Sequence, residues 1–273
     1  MTARRRRLRE VCLSVAALGA TSSQAQSVPP TVAVYAAGSL RAALTDVARA
    51  FEHDHPAQVT MTFGASGLLK DRIVAGESPQ VFASANMEHP EALVAAGRAA
   101  AVSAFARNAL CVLATPAFSL RGKTLTLRLL DADVRVGTST PKADPSGDYA
   151  FRMFDRIESS GAAGPGSAAA LKAKALQLTG GPDSPAPPPG RNVYGELVAT
   201  GQADAFITYC TATLARREHA KLQVLTVPEA VNVSARYGLA LLGPVSADAR
   251  AYMQFLLGPK GQDILASHGF SAP

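Results

Sequence analysis

Thr31-Val32-Ala33-Val34-Tyr35-Ala36-Ala37-Gly38-Ser39-Leu40 reads as a strand that ends in small residues and turns directly into a helix. Val32, Val34 and Tyr35 favour extended backbone. Ala36, Ala37 and Gly38 carry almost no side chain, so backbone N–H groups can approach a ligand closely. Ser39 is read as an N-cap, and Leu40, Ala43, Leu44, Val47, Ala48 and Phe51 recur behind it at helical spacing. Such a turn at a helix N-terminus suits an anion, because N–H donors and the positive dipole end point the same way. An ordinary capped turn would look the same in isolation. The pattern recurs, however, in Phe63-Gly64-Ala65-Ser66-Gly67-Leu68.

The rhythm continues outward from these turns. Gln58 to Phe63 and Gln80 to Ala85 read as strands. The helix from Ser66 stops at Gly76, and Pro90 opens another that closes at Gly97. Alternating strands and helices argue for a mainly parallel sheet whose ligands bind at the carboxyl ends of its strands. A second series begins at Ala109, with strands expected over Leu110 to Ala114, Val134 to Gly137, Ala205 to Cys210, Leu222 to Val227 and Tyr237 to Leu242. Helices are expected over Tyr149 to Ile157, Ala168 to Leu178, from Asn192 to Gly201, Ala247 to Leu257 and Gln262 to His268. Gly180 to Gly190 is too rich in proline for a helix or a central strand and reads as an exposed loop. No internal repeat stands out.

The chain has 273 residues, of which 48% are hydrophobic, with no Trp, as suits packed α/β layers. Its sequence pI of about 9.4 looks basic. Yet five of its 27 basic residues and one of its 21 acidic ones lie within the first ten positions, which leaves 22 against 20. Charge therefore gives no support to nucleic-acid binding. The arginine head, the short apolar run Val11 to Ala20 and Ser23-Gln24-Ala25 have the three-part build of a secretory signal peptide, with cleavage expected after Ala25. Sec and twin-arginine export both stay open. The apolar run is too short to span a bilayer, and Cys12 is badly placed for a lipid anchor. Cleavage would leave Cys111 and Cys210, both in apolar strand-like runs. An exported protein can form a disulfide, but spatial separation is not readable from sequence, and two buried thiols are expected.

A third turn reads Ser139-Thr140-Pro141-Lys142-Ala143-Asp144-Pro145-Ser146-Gly147-Asp148-Tyr149-Ala150. With Asp144 as N-cap and Pro145 at the first helical position, the amides of Ser146 and Gly147 open a helix. Those donors can go to Asp144 or to an anion. Tyr35-Ala36-Ala37-Gly38-Ser39-Leu40, Phe63-Gly64-Ala65-Ser66-Gly67, Ile73-Val74-Ala75-Gly76 with Val81-Phe82-Ala83-Ser84-Ala85, Phe105-Ala106-Arg107-Asn108, the run Asp144 to Ala150, Ala205-Phe206-Ile207-Thr208-Tyr209 and Gly269-Phe270 occur in that order. Together they resemble the molybdate-binding proteins of bacterial ABC importers, two-lobed periplasmic solute receptors, over nearly the whole mature chain.

The resemblance implies a two-lobed α/β solute-binding fold, each lobe a mainly parallel sheet flanked by helices, with the ligand in the cleft. Residues 30–106 with 233–273 are assigned to lobe one and 107–232 to lobe two. It implies a tetrahedral oxyanion, molybdate or tungstate, held by neutral donors, with no cofactor and no cation ligand. Carried over, the hydroxyl and amide of Ser39 and Ser66 come from lobe one. The amides of Ser146 and Val193 and the hydroxyl of Tyr209 come from lobe two. Position 146 holds Ser where the family has a small apolar residue, and the segment before Val193 is unusually proline-rich. The implied partner is a permease at the inner membrane, and the protein itself is expected to be a periplasmic monomer and not an enzyme.

A buried dianion must recover its hydration through well-aimed hydrogen bonds. A fully deprotonated anion needs donors only, so no carboxylate should face it. Neither serine turn contains an acid, and Asp148, close to the third turn, is the carboxylate to watch. The rival readings are a receptor for sulfate or an organic anion, and a serine hydrolase. Gly64-Ala65-Ser66-Gly67-Leu68 misses the Gly-x-Ser-x-Gly elbow. None of His53, His55, His89, His219 and His268 sits in a recognisable catalytic setting, and His53-x-His55 supplies too few ligands for a metal.

Overall fold

Apolar positions spaced three and four apart behind each small-residue turn bury one helix face against a sheet, and this happens twice along the chain. The computed structural model describes residues 29–185, 192–211 and 219–273. The expected signal peptide and residues 186–190 of the proline-rich loop lie outside the described residues. The first sheet contains β1 (Thr31–Ala37), β2 (Gln58–Gly64), β3 (Val81–Ser84), β4 (Ala99–Asn108) and β10 (Ala235–Leu242), in the order β2-β1-β3-β10-β4. The second contains β5 (Leu110–Ala114), β6 (Val136–Ser139), β7 (Leu176–Thr179), β8 (Ala205–Tyr209) and β9 (Gln223–Thr226), in the order β7-β6-β8-β5-β9. In each sheet the fourth strand in order, β10 or β5, runs against the others. The same arrangement is thus built twice, although no repeat is visible in the sequence. The result is a two-lobed α/β fold.

Helix α1 (Arg41–Asp54) buries Ala43, Leu44, Val47, Ala48 and Phe51, the face expected from their spacing. α2 (Ser66–Val74) and α3 (Glu88–Ala95) follow β2 and β3. Pro90 therefore lies inside the first turn of its helix and does not open it. α4 (Leu125–Leu130), α5 (Pro145–Ser159), α6 (Ser167–Lys174) and α7 (Val193–Ala199) flank the second sheet, while α8 (Ala247–Leu257) and α9 (Pro259–Ser267) return to the first. No helix among the described residues is long and apolar enough to cross a membrane.

Several expectations need correction. The helical piece expected over Ala168 to Leu178 stops at Lys174, and Leu176–Thr179 forms an edge strand parallel to β6. The long strand β4 and the short helix α4 were not anticipated. An Ala-rich start, Ala99-Ala100-Ala101, has little β propensity, and antiparallel pairing with β10 overrides it. Cys111 and Cys210 are not two thiols but a disulfide with Cα atoms 4.8 Å apart. β5 and β8 are adjacent antiparallel strands, with Cys111 opposite Thr208. Cys210 sits two residues beyond Thr208, on the same sheet face by strand alternation. The pairing follows from strand order.

The chain passes from the first sheet to the second at Ala109 and returns between β9 and β10. Asn232, on the return segment, accepts from the Leu110 amide at 2.9 Å and donates to the Leu110 carbonyl at 2.9 Å. Its side chain thereby imitates a strand neighbour and ties the two crossings together. Away from the crossings, the Gly67 amide at the start of α2 donates to the Ala143 carbonyl before α5 at 2.9 Å. Arg152 of α5 pairs with Glu88 of α3 at 2.8 Å. Both partners of that pair are about half exposed, so it contributes at most about 1 kcal/mol.

Two outcomes follow from these contacts. A Cβ at Gly67 would lie 2.5 Å from the Lys142 carbonyl oxygen and 2.6 Å from that of Ala143, so Gly67→Ala should hold the lobes apart. Small-angle scattering should give a larger radius of gyration than the parent at saturating anion; equal radii would show that this approach is not needed for closure. Replacing both cysteines by serine should lower stability by roughly 2–5 kcal/mol, because the bridge closes a loop of about 100 residues. Urea unfolding with and without reductant measures that loss.

Candidate functional site

The carboxyl ends of β1 and β2 pass into turns of small residues, Gly38-Ser39 and Ala65-Ser66, and face residues that follow β6 and β7 in the second sheet. Between the lobes lies a cavity of about 180 Å³. The first lobe lines it with Ala37, Gly38, Ser39, Arg41, Phe63, Gly64, Ala65, Leu68 and Ala85; the second adds Asp144, Thr179, Gly180, Gly181, Ser184, Pro185, Val193 and Tyr194.

Neither serine of the first lobe is a helix cap. Gly38–Leu40 forms a single 3₁₀ turn, and α1 begins at Arg41 with no side-chain cap. The Ser39 hydroxyl lies 3.1 Å from the Tyr237 hydroxyl. Ser66 is the first residue of α2, with Ala65 as N-cap. Its oxygen accepts from the Ala85 amide at 3.1 Å, so its own proton points elsewhere. Ser39 lines the cavity, whereas Ser66 is fully buried between the lining residues Ala65 and Ala85.

In the second lobe the expected residues divide differently. Asn192 caps α7 by accepting from the amides of Tyr194 and Gly195, so the cap does not use the Val193 amide, and Val193 lines the cavity. At α5 the cap competes directly with a ligand, because Asp144 Oδ1 accepts from the Ser146 amide at 3.0 Å. That amide, expected to reach the anion, is already engaged. The Ser146 hydroxyl and the Tyr209 hydroxyl are buried without a partner in hydrogen-bond geometry, as is the hydroxyl of Ser139 at the end of β6. A buried polar group left unpaired costs about 1–3 kcal/mol, which an acceptor entering the cleft would recover. Burial pushes the Tyr209 and Tyr194 phenols well above their usual value, so both remain protonated donors at neutral pH.

Tyr237 extends this polar cluster toward the crossings. Asn108 Nδ2 lies 2.9 Å from Thr211 Oγ1 and 3.5 Å from the Tyr237 hydroxyl. The Tyr237 ring packs 5.7 Å from Tyr209. Tyr237 and Tyr194 escape sequence reading because no turn marks them. Strand pairing and helix packing bring them in.

Two charged groups also line the cavity. Arg41 stacks 4.5 Å over the Phe63 ring and makes no ion pair among the described residues. Asp148 is not the acid that faces the cleft; its Oδ1 accepts from the Lys142 amide. Asp144 is. The expectation that no carboxylate would face the anion therefore fails at the third turn. Burial pushes the Asp144 carboxyl up to about 6, with Asp148 adding to the effect and the hydrogen bond from the Ser146 amide opposing it. An acid whose pKa rises on folding costs stability once pH climbs through the interval between its unfolded and folded values, here about 3.8 to about 6. No histidine lines the cavity, and no cluster of three or more potential metal ligands occurs among the described residues.

Comparison with known proteins fits this geometry. The chain is 38% identical over 239 residues to uncharacterized protein PM1146 of Pasteurella multocida, covering 87% of this chain and 97% of that one. It is 27% identical over 252 residues to the molybdate-binding protein ModA of Escherichia coli, covering 88% of each. The sulfate-binding protein SubI of Mycobacterium tuberculosis shares the fold, with a TM-score of 0.72 at 18% identity over 89% of this chain and 87% of that one. Residues 32–271 match the family described as bacterial extracellular solute-binding protein, and the chain belongs to that family.

Proposed function

We propose that this chain is the extracytoplasmic receptor of an ABC importer, which binds molybdate or tungstate and delivers it to a permease at the inner membrane. The observation that carries this reading is the set of buried donors without acceptors, Ser146 and Tyr209, behind Asp144 and Tyr194, which line a cavity between two lobes. Ser39 and Ser66 contribute hydroxyl and amide, Val193 an amide, Tyr209 its phenol, and Ser146 its hydroxyl in place of the amide that Asp144 holds. Residues 30–106 with 233–273 and residues 107–232 act as the two lobes that close over the ion. Export with cleavage near Ala25 and action as a periplasmic monomer complete the proposal. ModA from Escherichia coli, named as molybdate-binding, supports the choice of ion. Calorimetry of the mature protein with molybdate, tungstate, sulfate and phosphate tests it, and heat with none of them would remove the reading.

The two serines provide a sharper test. Ser39→Ala and Ser66→Ala should each weaken anion binding by roughly 10- to 150-fold, the cost of a lost hydrogen bond to a charged ligand. Ser66→Ala also leaves the Ala85 amide without its acceptor, so a lower melting temperature alone decides nothing. The ligand-induced shift decides. Anion at about 100 times its dissociation constant stabilises the parent by roughly 2.7 kcal/mol, or about 5–11 °C. A mutant with 100-fold weaker binding retains only about 0.4 kcal/mol at that concentration. Unchanged shifts in both mutants would exclude these serines from the site.

A further inference from the structure

Asp144 is an anomaly in a cleft built from donors. It caps α5 through Oδ1, yet it also lines the cavity in which an anion would sit. Its second oxygen, Oδ2, lies 2.6 Å from where a Cβ on Gly180 would stand, so the carboxyl is held against a glycine with positive φ. No described cation pairs with it. From its own helix it meets the like-charged Asp148, and from β6 the Ser139 hydroxyl. From α7 and β8, the phenols of Tyr194 and Tyr209 feel its charge. Arg41, on the cavity wall of the other lobe, is stacked on Phe63. An ionised Asp144 would therefore confront a dianion in a cavity whose lining cation, Arg41, is stacked on Phe63 and makes no described ion pair with Asp144. A protonated Asp144 would present one more donor to the same dianion.

Building on the reading of this cleft as an oxyanion site, we propose that the occupied site holds one proton between the Asp144 carboxyl and the bound oxyanion. With an anion that carries no proton, such as molybdate, Asp144 takes one proton from solvent as the ligand enters, and its O–H donates to an anion oxygen. Nothing is oxidised or transferred, and the balance is one proton taken up for each anion bound. Asp144 is then the residue that sets which protonation state the cleft accepts. Its ligand-free pKa, raised by burial to about 6, places the change within the range an exported protein meets.

The test is calorimetry of mature wild type and Asp144→Asn with sodium molybdate from pH 5.5 to 8.5, in buffers of different ionisation enthalpy. Asn keeps the helix cap, because its side-chain oxygen can still accept from the Ser146 amide, and removes only the titration. Asp144→Ser, a second neutral cap former, guards against a packing fault particular to Asn. Wild-type affinity should fall about tenfold for each pH unit above the pKa of Asp144, with about one proton taken up per ion bound. Both neutral variants should lose that slope and bind at least about tenfold more tightly than wild type at pH 8. A flat wild-type profile, or a slope that survives in both variants, overturns the proposal and leaves oxyanion binding itself intact. No molybdate binding by any of the three proteins at any pH removes molybdate from the proposed function, and this inference with it.

Discussion

An anion that leaves water must be met by donors already in place, since unmet charge in a protein interior costs several kcal/mol. The proposed oxyanion site answers that requirement. The turns after β1 and β2 are made of residues too small to cover their own amides, Gly38-Ser39 and Ala65-Ser66, and both border the cleft. Helices begin there because a helix start is the one place where a backbone keeps unused N–H groups. In the proposed site, hydroxyls supplement the backbone donors, at Ser39, Ser66, Ser146 and Tyr209. On the proposed reading, the cost of holding the Tyr209 and Ser146 hydroxyls unpaired is the counterpart of their readiness for an anion.

The parts of this design that are local in sequence were legible there. The βα turns at Ser39 and Ser66, the buried face of α1, the Asp144 cap with Pro145 behind it, and the Asn192 cap all follow from neighbours within a few residues. Features set by distant partners were not legible. The Cys111–Cys210 bridge depends on β5 lying beside β8. β4 is extended because β10 is there to pair with it. The serines looked like caps by position, but the hydroxyls turned to Tyr237 and the Ala85 amide, groups 198 and 19 residues away in the chain. Asp144 and Asp148 could not be separated by reading, since four residues on a helix bring both near the same turn. Only the fold shows which one borders the cavity.

Family membership and ligand identity stand on different footing here. Solute-binding proteins of one fold take chemically different cargo, as the named sulfate and molybdate binders among the similar proteins illustrate. The discriminating features are therefore side chains on the cavity wall, not strand order. In this chain those are Arg41, Phe63, Asp144 and Tyr194, beside the smaller serine and backbone donors.

The Asn232 clasp on Leu110 has a consequence for how such a receptor signals. Two crossings stitched side by side resist slipping past each other more than two separate strands would. Any movement of one lobe against the other must then pass through this one paired strap. A partner that gripped the rim far from the cleft would read occupancy there without touching the cargo. Loosening the clasp would blur that signal while leaving each binding group intact.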